Sequence, residues 1–200
     1  MTTATSSSDF WSTVFPTPQP TQDTDLLSQV GFVPGLKEVL MLRQVHALEH
    51  ATVWALSDRV VLPEQEELGG LSTDRGFYLY GQVKTADVSR AASLALRRIT
   101  QGEWNLAVHP RCGTNVSVGM LLIAGFALGA SALLPRGPIE QILGLGFAAT
   151  TAAQLTPELG RLAQQYVTTA IPFNLTIQEI SVVQDYWGRP AHFVQVHWVE

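Results

Sequence analysis

VSVGMLLIAGFALGASALL, residues 116–134, runs for nineteen positions without a charged side chain. In an α-helix such a run is long enough to cross a hydrocarbon layer of roughly 30 Å. A buried core helix is the other way to hide it, but a chain of 200 residues has little other protein to surround it on every side. Pro135-Arg136-Gly137-Pro138 then breaks the helix, because proline removes a backbone donor and glycine loosens the chain. A second apolar stretch, residues 139–155, follows. It is more polar, with Glu140 and Gln141 near its start and Thr150, Thr151 and Gln154 further on. Gly144, Gly146, Ala148, Ala149, Ala152 and Ala153 make it rich in small side chains, which let membrane helices approach closely. The two stretches are expected to form a transmembrane helical hairpin over residues 116–155. One spanning helix followed by a re-entrant or interfacial helix is the alternative.

The flanks set the rest of the organisation. The turn carries one basic residue, Arg136, while the other eleven Lys and Arg lie before or after the hairpin, Arg111 and Arg161 nearest its ends. By the positive-inside rule both soluble parts face the cytoplasm. Only 14% of the residues are charged, against about 25% in soluble domains, and mean hydropathy is +0.15. The net charge of −5 with no basic patch excludes a nucleic-acid partner. The lone Cys112 cannot form an internal disulfide, which fits a reducing compartment. Residues 1–25 are rich in Ser, Thr and Pro, lack the pattern of a secretory signal, and are expected to be a disordered tail in which Phe10-Trp11 and Val14-Phe15 touch a membrane surface.

Residues 34–115 are expected to hold a small α+β domain. After Pro34-Gly35, residues 36–57 have helical spacing of Leu and Val. An acidic loop follows at residues 63–68. Residues 72–76 read as a turn between extended segments, the second at residues 77–83. An amphipathic helix is expected over residues 87–100 and a strand over residues 104–108. After the hairpin, residues 160–170 read as an interfacial or cytoplasmic helix, and residues 176–183 and 191–199 as a terminal β-hairpin that rejoins the sheet. The fold class is thus α+β, with a two-helix transmembrane hairpin inserted before the C-terminal β-hairpin, and residues 160–200 return to the cytoplasmic domain. His192 and His197, in those last strands, read as structural.

Two motifs carry chemistry. His46-Ala47-Leu48-Glu49-His50 reads H-x-x-E-H. Residues four apart share a helix face, so the two imidazoles can converge on one Zn²⁺. Glu49 then sits beside the metal without binding it, as a general base would. The pattern resembles the inverzincin signature of some zinc peptidases. Arg43, one turn before His46, is placed to pair with Glu49 or to orient a substrate carboxylate; a surface salt bridge is the plainer alternative. His109-Pro110-Arg111-Cys112-Gly113-Thr114-Asn115 is the second motif. His109 and Cys112 have knuckle spacing and would supply the further ligands that two histidines lack. The metal set is therefore His46, His50, His109 and Cys112, with Glu49 as the catalytic residue.

H-A-L-E-H-A-T followed by H-P-R-C-G-T-N, just before an apolar hairpin, resembles an uncharacterised family of integral membrane proteins found mainly in cyanobacteria, over roughly residues 36–180. It is also similar to a broader bacterial membrane family of unknown function that carries H-G-A-E-H-K-T and H-P-R-C-G-T-S. Against that second pattern this chain has Ala47, Leu48, Ala51 and Asn115. The resemblance implies a cyanobacterial cytoplasmic or thylakoid membrane address. Three functions remain open on the residues alone. With His46, His50 and His109 as ligands, the chain is a membrane-anchored zinc hydrolase acting on a peptide or membrane-protein substrate, with Asn115, Arg111 or amides near Gly113 on the oxyanion. With Cys112 as a fourth ligand, the site is closed and staples a membrane assembly or scaffold factor. Without metal, the same residues form a hydrogen-bonded network at the base of the hairpin. The lipid bilayer is the expected partner in every case.

Overall fold

The computed structural model describes residues 17–58, 68–135 and 137–199. The elements run in the order α1 (Gln22–Val30), α2 (Leu36–Ser57), β1 (Gly69–Thr73), β2 (Gly76–Tyr80), α3 (Thr85–Thr100), a 3₁₀ turn (Trp104–Ala107), α4 (Gly113–Leu133), α5 (Pro138–Ala163), a π-helical turn (Gln164–Thr168), β3 (Leu175–Gln184) and β4 (Pro190–Trp198). This is an α+β architecture around one four-stranded antiparallel sheet of order β1-β2-β4-β3.

Helix α2 begins after Gly35, whose φ of 83° suits a residue without a side chain. From Ala47 to Val53 every residue is buried. The amphipathic α3 lies against it, with Val88, Ala91, Ala92, Ala95 and Ile99 in the core. Asp87 in its first turn and Arg97 and Arg98 in its last complement the helix dipole. The sheet closes the core from the other side. Phe77 and Leu79 of β2 and Val194, Val196 and Trp198 of β4 alternate inward, at the two-residue period of a strand. The β1–β2 turn is tight, pairing Thr73 with Gly76. Gly76 has a φ of 147°, and a Cβ there would meet the Val194 carbonyl of β4. The β3–β4 turn is built on Asp185. Its carboxylate accepts from the amides of Trp187 and Arg189, the hydroxyl of Tyr80 and Nε of Arg189.

Helices α4 and α5 form an antiparallel pair. Gly144 of α5 faces Ala130 and Leu134, Gly119 of α4 faces Thr156, and Gly160 faces Asn115. Each absent side chain lets the helix backbones approach. Helix α4 has a mean hydropathy of 2.1 over its most apolar window and no residue buried by the rest of the protein. Among the described residues it alone is long and apolar enough to cross a membrane.

Several expectations need correction. Residues 104–108 form no strand; Trp104–Ala107 is a 3₁₀ turn. The indole Nε1 of Trp54 donates to the Val108 carbonyl at 3.0 Å, so these residues are fixed against α2 rather than in the sheet. The β-α-β order is replaced by β1 and β2 pairing with the terminal hairpin. Helix α5 does not stop at Leu155. It continues through Pro157, Glu158 and Arg161 to Ala163, and the expected separate helix over residues 160–170 is its end plus the π-helical turn. Glu140, Gln141 and Gln154 lower the hydropathy of the apolar part of α5, so among the described residues only α4 qualifies as a span and a second spanning helix is not shown. Gln22–Asp25, within the expected tail, opens α1, because Gln44 of α2 donates to the buried Asp23 carboxylate at 2.6 Å. The first sixteen residues, the acidic stretch 59–67 and Arg136 lie outside the described residues.

The sheet geometry makes a stability prediction. Phe77 of β2 is fully buried, whereas Leu71 of β1, on the opposite face of the sheet, is 39% exposed. Phe77→Ala should lower unfolding free energy by about 3–5 kcal/mol, the usual range for a buried phenylalanine, and Leu71→Ala by under about 1 kcal/mol. Denaturant unfolding in detergent, followed by circular dichroism, measures both. Similar losses would show that the outer face of the sheet is covered.

Candidate metal centre

Helix α2 brings His46 and His50 to one place as the i, i+4 spacing requires, with ring centroids 4.4 Å apart. Cys112 arrives from the other side as the N-cap of α4, its sulfur accepting from the Thr114 amide at 3.4 Å. The side-chain ligand atoms of His46, His50 and Cys112 all lie within 4.8 Å of one another, and together they can hold a metal ion.

The hydrogen bonds fix which nitrogens face this centre. His46 Nδ1 lies 3.0 Å from the Thr168 carbonyl, and His50 Nδ1 lies 2.7 Å from the Ala107 carbonyl. A carbonyl only accepts, so each neutral imidazole carries its proton on Nδ1. Each Nε2 then presents a lone pair, and that of His46 lies 3.3 Å from Cys112 Sγ. Backbone carbonyls behind metal-binding imidazoles are the usual outer-shell arrangement. The donor set, two imidazoles and one thiol, therefore fits a transition ion that accepts nitrogen and sulfur. Burial disfavours the Cys112 thiolate, but hydrogen bonds and charge from His50 and the bonds from Thr114 outweigh it, and its pKa falls below the ordinary thiol value.

Glu49 is not one of the converging group. Its buried carboxylate accepts a 2.6 Å bond from the Ser72 hydroxyl and occupies the space where a Cβ at Gly70 would stand. Burial raises its pKa, opposed by the Ser72 bond and the charge of His46. His109 also lies outside the group. Its ring packs 4.9 Å from Trp54 and 5.7 Å from His50, between centroids, and its Nδ1 accepts from the Arg111 amide at 3.3 Å. Burial, then the charges of His50 and Arg111, push its pKa down to about 4. Arg43 does not pair with Glu49; among the described residues it donates to the Tyr166 and Thr169 carbonyls. Asn115, considered above as an oxyanion donor, already donates to the Pro110 carbonyl at 2.7 Å and accepts from Gln164 at 2.8 Å.

The residues that support the centre had no motif of their own. Ser72 and Gly70 sit in an ordinary strand. Gln164 and Thr168 follow an unremarkable helix end. Gln164 is fully buried and accepts from the His109 amide at 2.8 Å, tying the end of α5 to the loop that carries Cys112. His192, whose Nε2 lies 3.0 Å from the Thr85 hydroxyl, is not among the converging side chains.

Residues 41–180 match the family model described as Domain of unknown function (DUF6391). An uncharacterized protein of Picosynechococcus sp. is 50% identical over 198 residues, covering 94% of this chain and 95% of that protein. No solved structure matches. Both motifs and every converging side chain lie inside the matched stretch, and the chain belongs to the DUF6391 family, with an uncharacterised cyanobacterial relative.

Proposed function

We propose that this protein is a membrane-anchored zinc protein that hydrolyses a peptide-like substrate at the membrane surface. One observation carries this: His46, His50 and Cys112 converge with both imidazole tautomers already set by backbone carbonyls, and a buried carboxylate follows on the same helix. Three protein ligands are the number that catalytic zinc sites use; His46, His50 and Cys112 would hold the ion, and it would supply Lewis acidity. Glu49, next to His50 in sequence, would be the proton acceptor for an attacking water. Ser72 keeps its carboxylate in one orientation. Helix α4 crosses the bilayer, α5 packs back along it, and the α+β domain lies on the cytoplasmic side of a cytoplasmic or thylakoid membrane. The joining of β1–β2 and β3–β4 in one sheet and the single basic residue in the turn support that orientation.

A structural staple is the alternative, favoured by the position of Cys112. As N-cap of α4 it joins the start of the apolar helix to α2, which a metal would lock in place. A scaffold factor needs no more.

Three measurements test these statements. Protein purified in mild detergent should carry about one zinc per chain. His50→Ala or Cys112→Ser should remove most of it, while His192→Ala should not; equal zinc in all variants would exclude this centre. Glu49→Gln should keep the metal yet slow hydrolysis by roughly 10²–10⁴, the usual contribution of a general base. Unchanged accumulation of membrane proteins in cells carrying that substitution favours the staple, and metal loss would make Glu49 a ligand. Reporter fusions at the N-terminus, at Gly137 and at the C-terminus should place the two termini on the cytoplasmic side and Gly137 opposite. Termini on opposite sides rule out a hairpin.

A further inference from the structure

The π-helical turn Gln164–Thr168 contributes no ligand, yet it reaches two of the three. The Thr168 carbonyl accepts from His46 Nδ1 at 3.0 Å. The Thr168 hydroxyl lies 3.2 Å from Thr114 Oγ1, which is itself 3.4 Å from Cys112 Sγ. One residue at the end of α5 thus stands behind a histidine from α2 and a cysteine from α4.

The turn is held by Arg43. One terminal guanidinium nitrogen donates to the Tyr166 carbonyl at 3.2 Å and to the Thr169 carbonyl at 3.1 Å, on either side of Thr168. The Arg43 carbonyl accepts from the Ala170 amide at 3.0 Å. Thr169 folds back on the Gln164 carbonyl through its amide at 3.0 Å and its hydroxyl at 2.8 Å. A π-turn is rarely the cheapest backbone form, and such turns concentrate at functional sites. Here it lets the carbonyls of Tyr166 and Thr169 face a cation while that of Thr168 faces an imidazole.

We propose that Thr168 and Arg43 are positioning residues of the metal centre, so that the centre forms only when the π-helical end of α5 is docked on α2. The inference rests on reading His46, His50 and Cys112 as metal ligands. The Nδ1–H bond to Thr168 selects the tautomer that leaves Nε2 free and sets the angle of the His46 ring. Without the clamp, the ring can rotate and the proton can move to Nε2, where it blocks coordination. Outer-shell changes of this kind weaken metal affinity by roughly 10–100-fold. Coupling is reciprocal, so metal must tighten the docked turn by the same factor. The centre then links the soluble core to the helix pair.

Cobalt(II) is the probe, because its visible and thiolate charge-transfer bands report coordination geometry. Full-length protein in detergent is titrated as wild type, Arg43→Met, Arg43→Lys and Thr168→Val. Expected is a fall in Co²⁺ affinity of about 10–100-fold for Arg43→Met, partial recovery in Arg43→Lys, and altered charge-transfer bands in Thr168→Val, with the apo circular dichroism spectrum unchanged. In wild type, Co²⁺ should slow amide exchange across residues 165–169; in Arg43→Met at saturating Co²⁺ it should do so less. Variants that bind Co²⁺ with wild-type affinity and spectra overturn the positioning roles, as does exchange in the turn that ignores metal. If Arg43→Met fails to fold, Thr168→Val and the wild-type exchange decide. A wild type that binds no Co²⁺ overturns the metal centre itself, a different failure.

Discussion

Helix α2 carries Gln44, Glu49, His50 and Thr52 into the interior and His46 to its margin. Burying a polar group without a partner costs roughly 1–3 kcal/mol, so each must be answered from another element. Gln44 bonds Asp23 of α1 and Asn174 before β3. His46 bonds Thr168 in the π-helical turn, Glu49 bonds Ser72 in β1, and His50 bonds Ala107 in the 3₁₀ turn. Only Thr52 is satisfied within the helix, by the Leu48 carbonyl. The polar demands of one helix therefore fix where α1, β1, the 3₁₀ turn and the exit from α5 must lie.

The same contacts prepare the chemistry. A carbonyl that relieves a buried imidazole also decides its tautomer, so stability and ligand orientation come from one bond. Glu49 shows the opposite balance. A single hydroxyl and a nearby imidazole do not fully offset burial, and its carboxyl keeps its proton more readily than a surface glutamate. A group held that way is costly to keep, and proton transfer is one function that uses it.

Helices α4 and α5 are joined to this core at their base and to each other by small-residue packing. Gln164 binds His109 and Asn115, Gly160 gives Asn115 room, and Cys112 caps α4. The H-P-R-C-G-T-N segment is thus a joint between an apolar helix and a polar centre. Its His109, Cys112, Thr114 and Asn115 side chains face the joint.

Much of this was legible in the chain. The charge-free run required a long unbroken helix, since nineteen apolar residues have no other economical form. The i, i+4 spacing placed His46 and His50 together because helix geometry is local, and alternation marked β2 and the terminal hairpin. What depended on distant partners was not legible. Residues 104–108 have strand composition but give their backbone to Trp54 and His50. His109 shares a knuckle with Cys112, yet the chain turns there and only the sulfur reaches the centre. Gln164, Thr168 and Ser72 look ordinary because their roles rest on hydrogen bonds across 23 to 122 positions of sequence. Local spacing determined which side chains are offered to the site; the need to satisfy a buried polar helix, which only the assembled fold can meet, decided which of them face it.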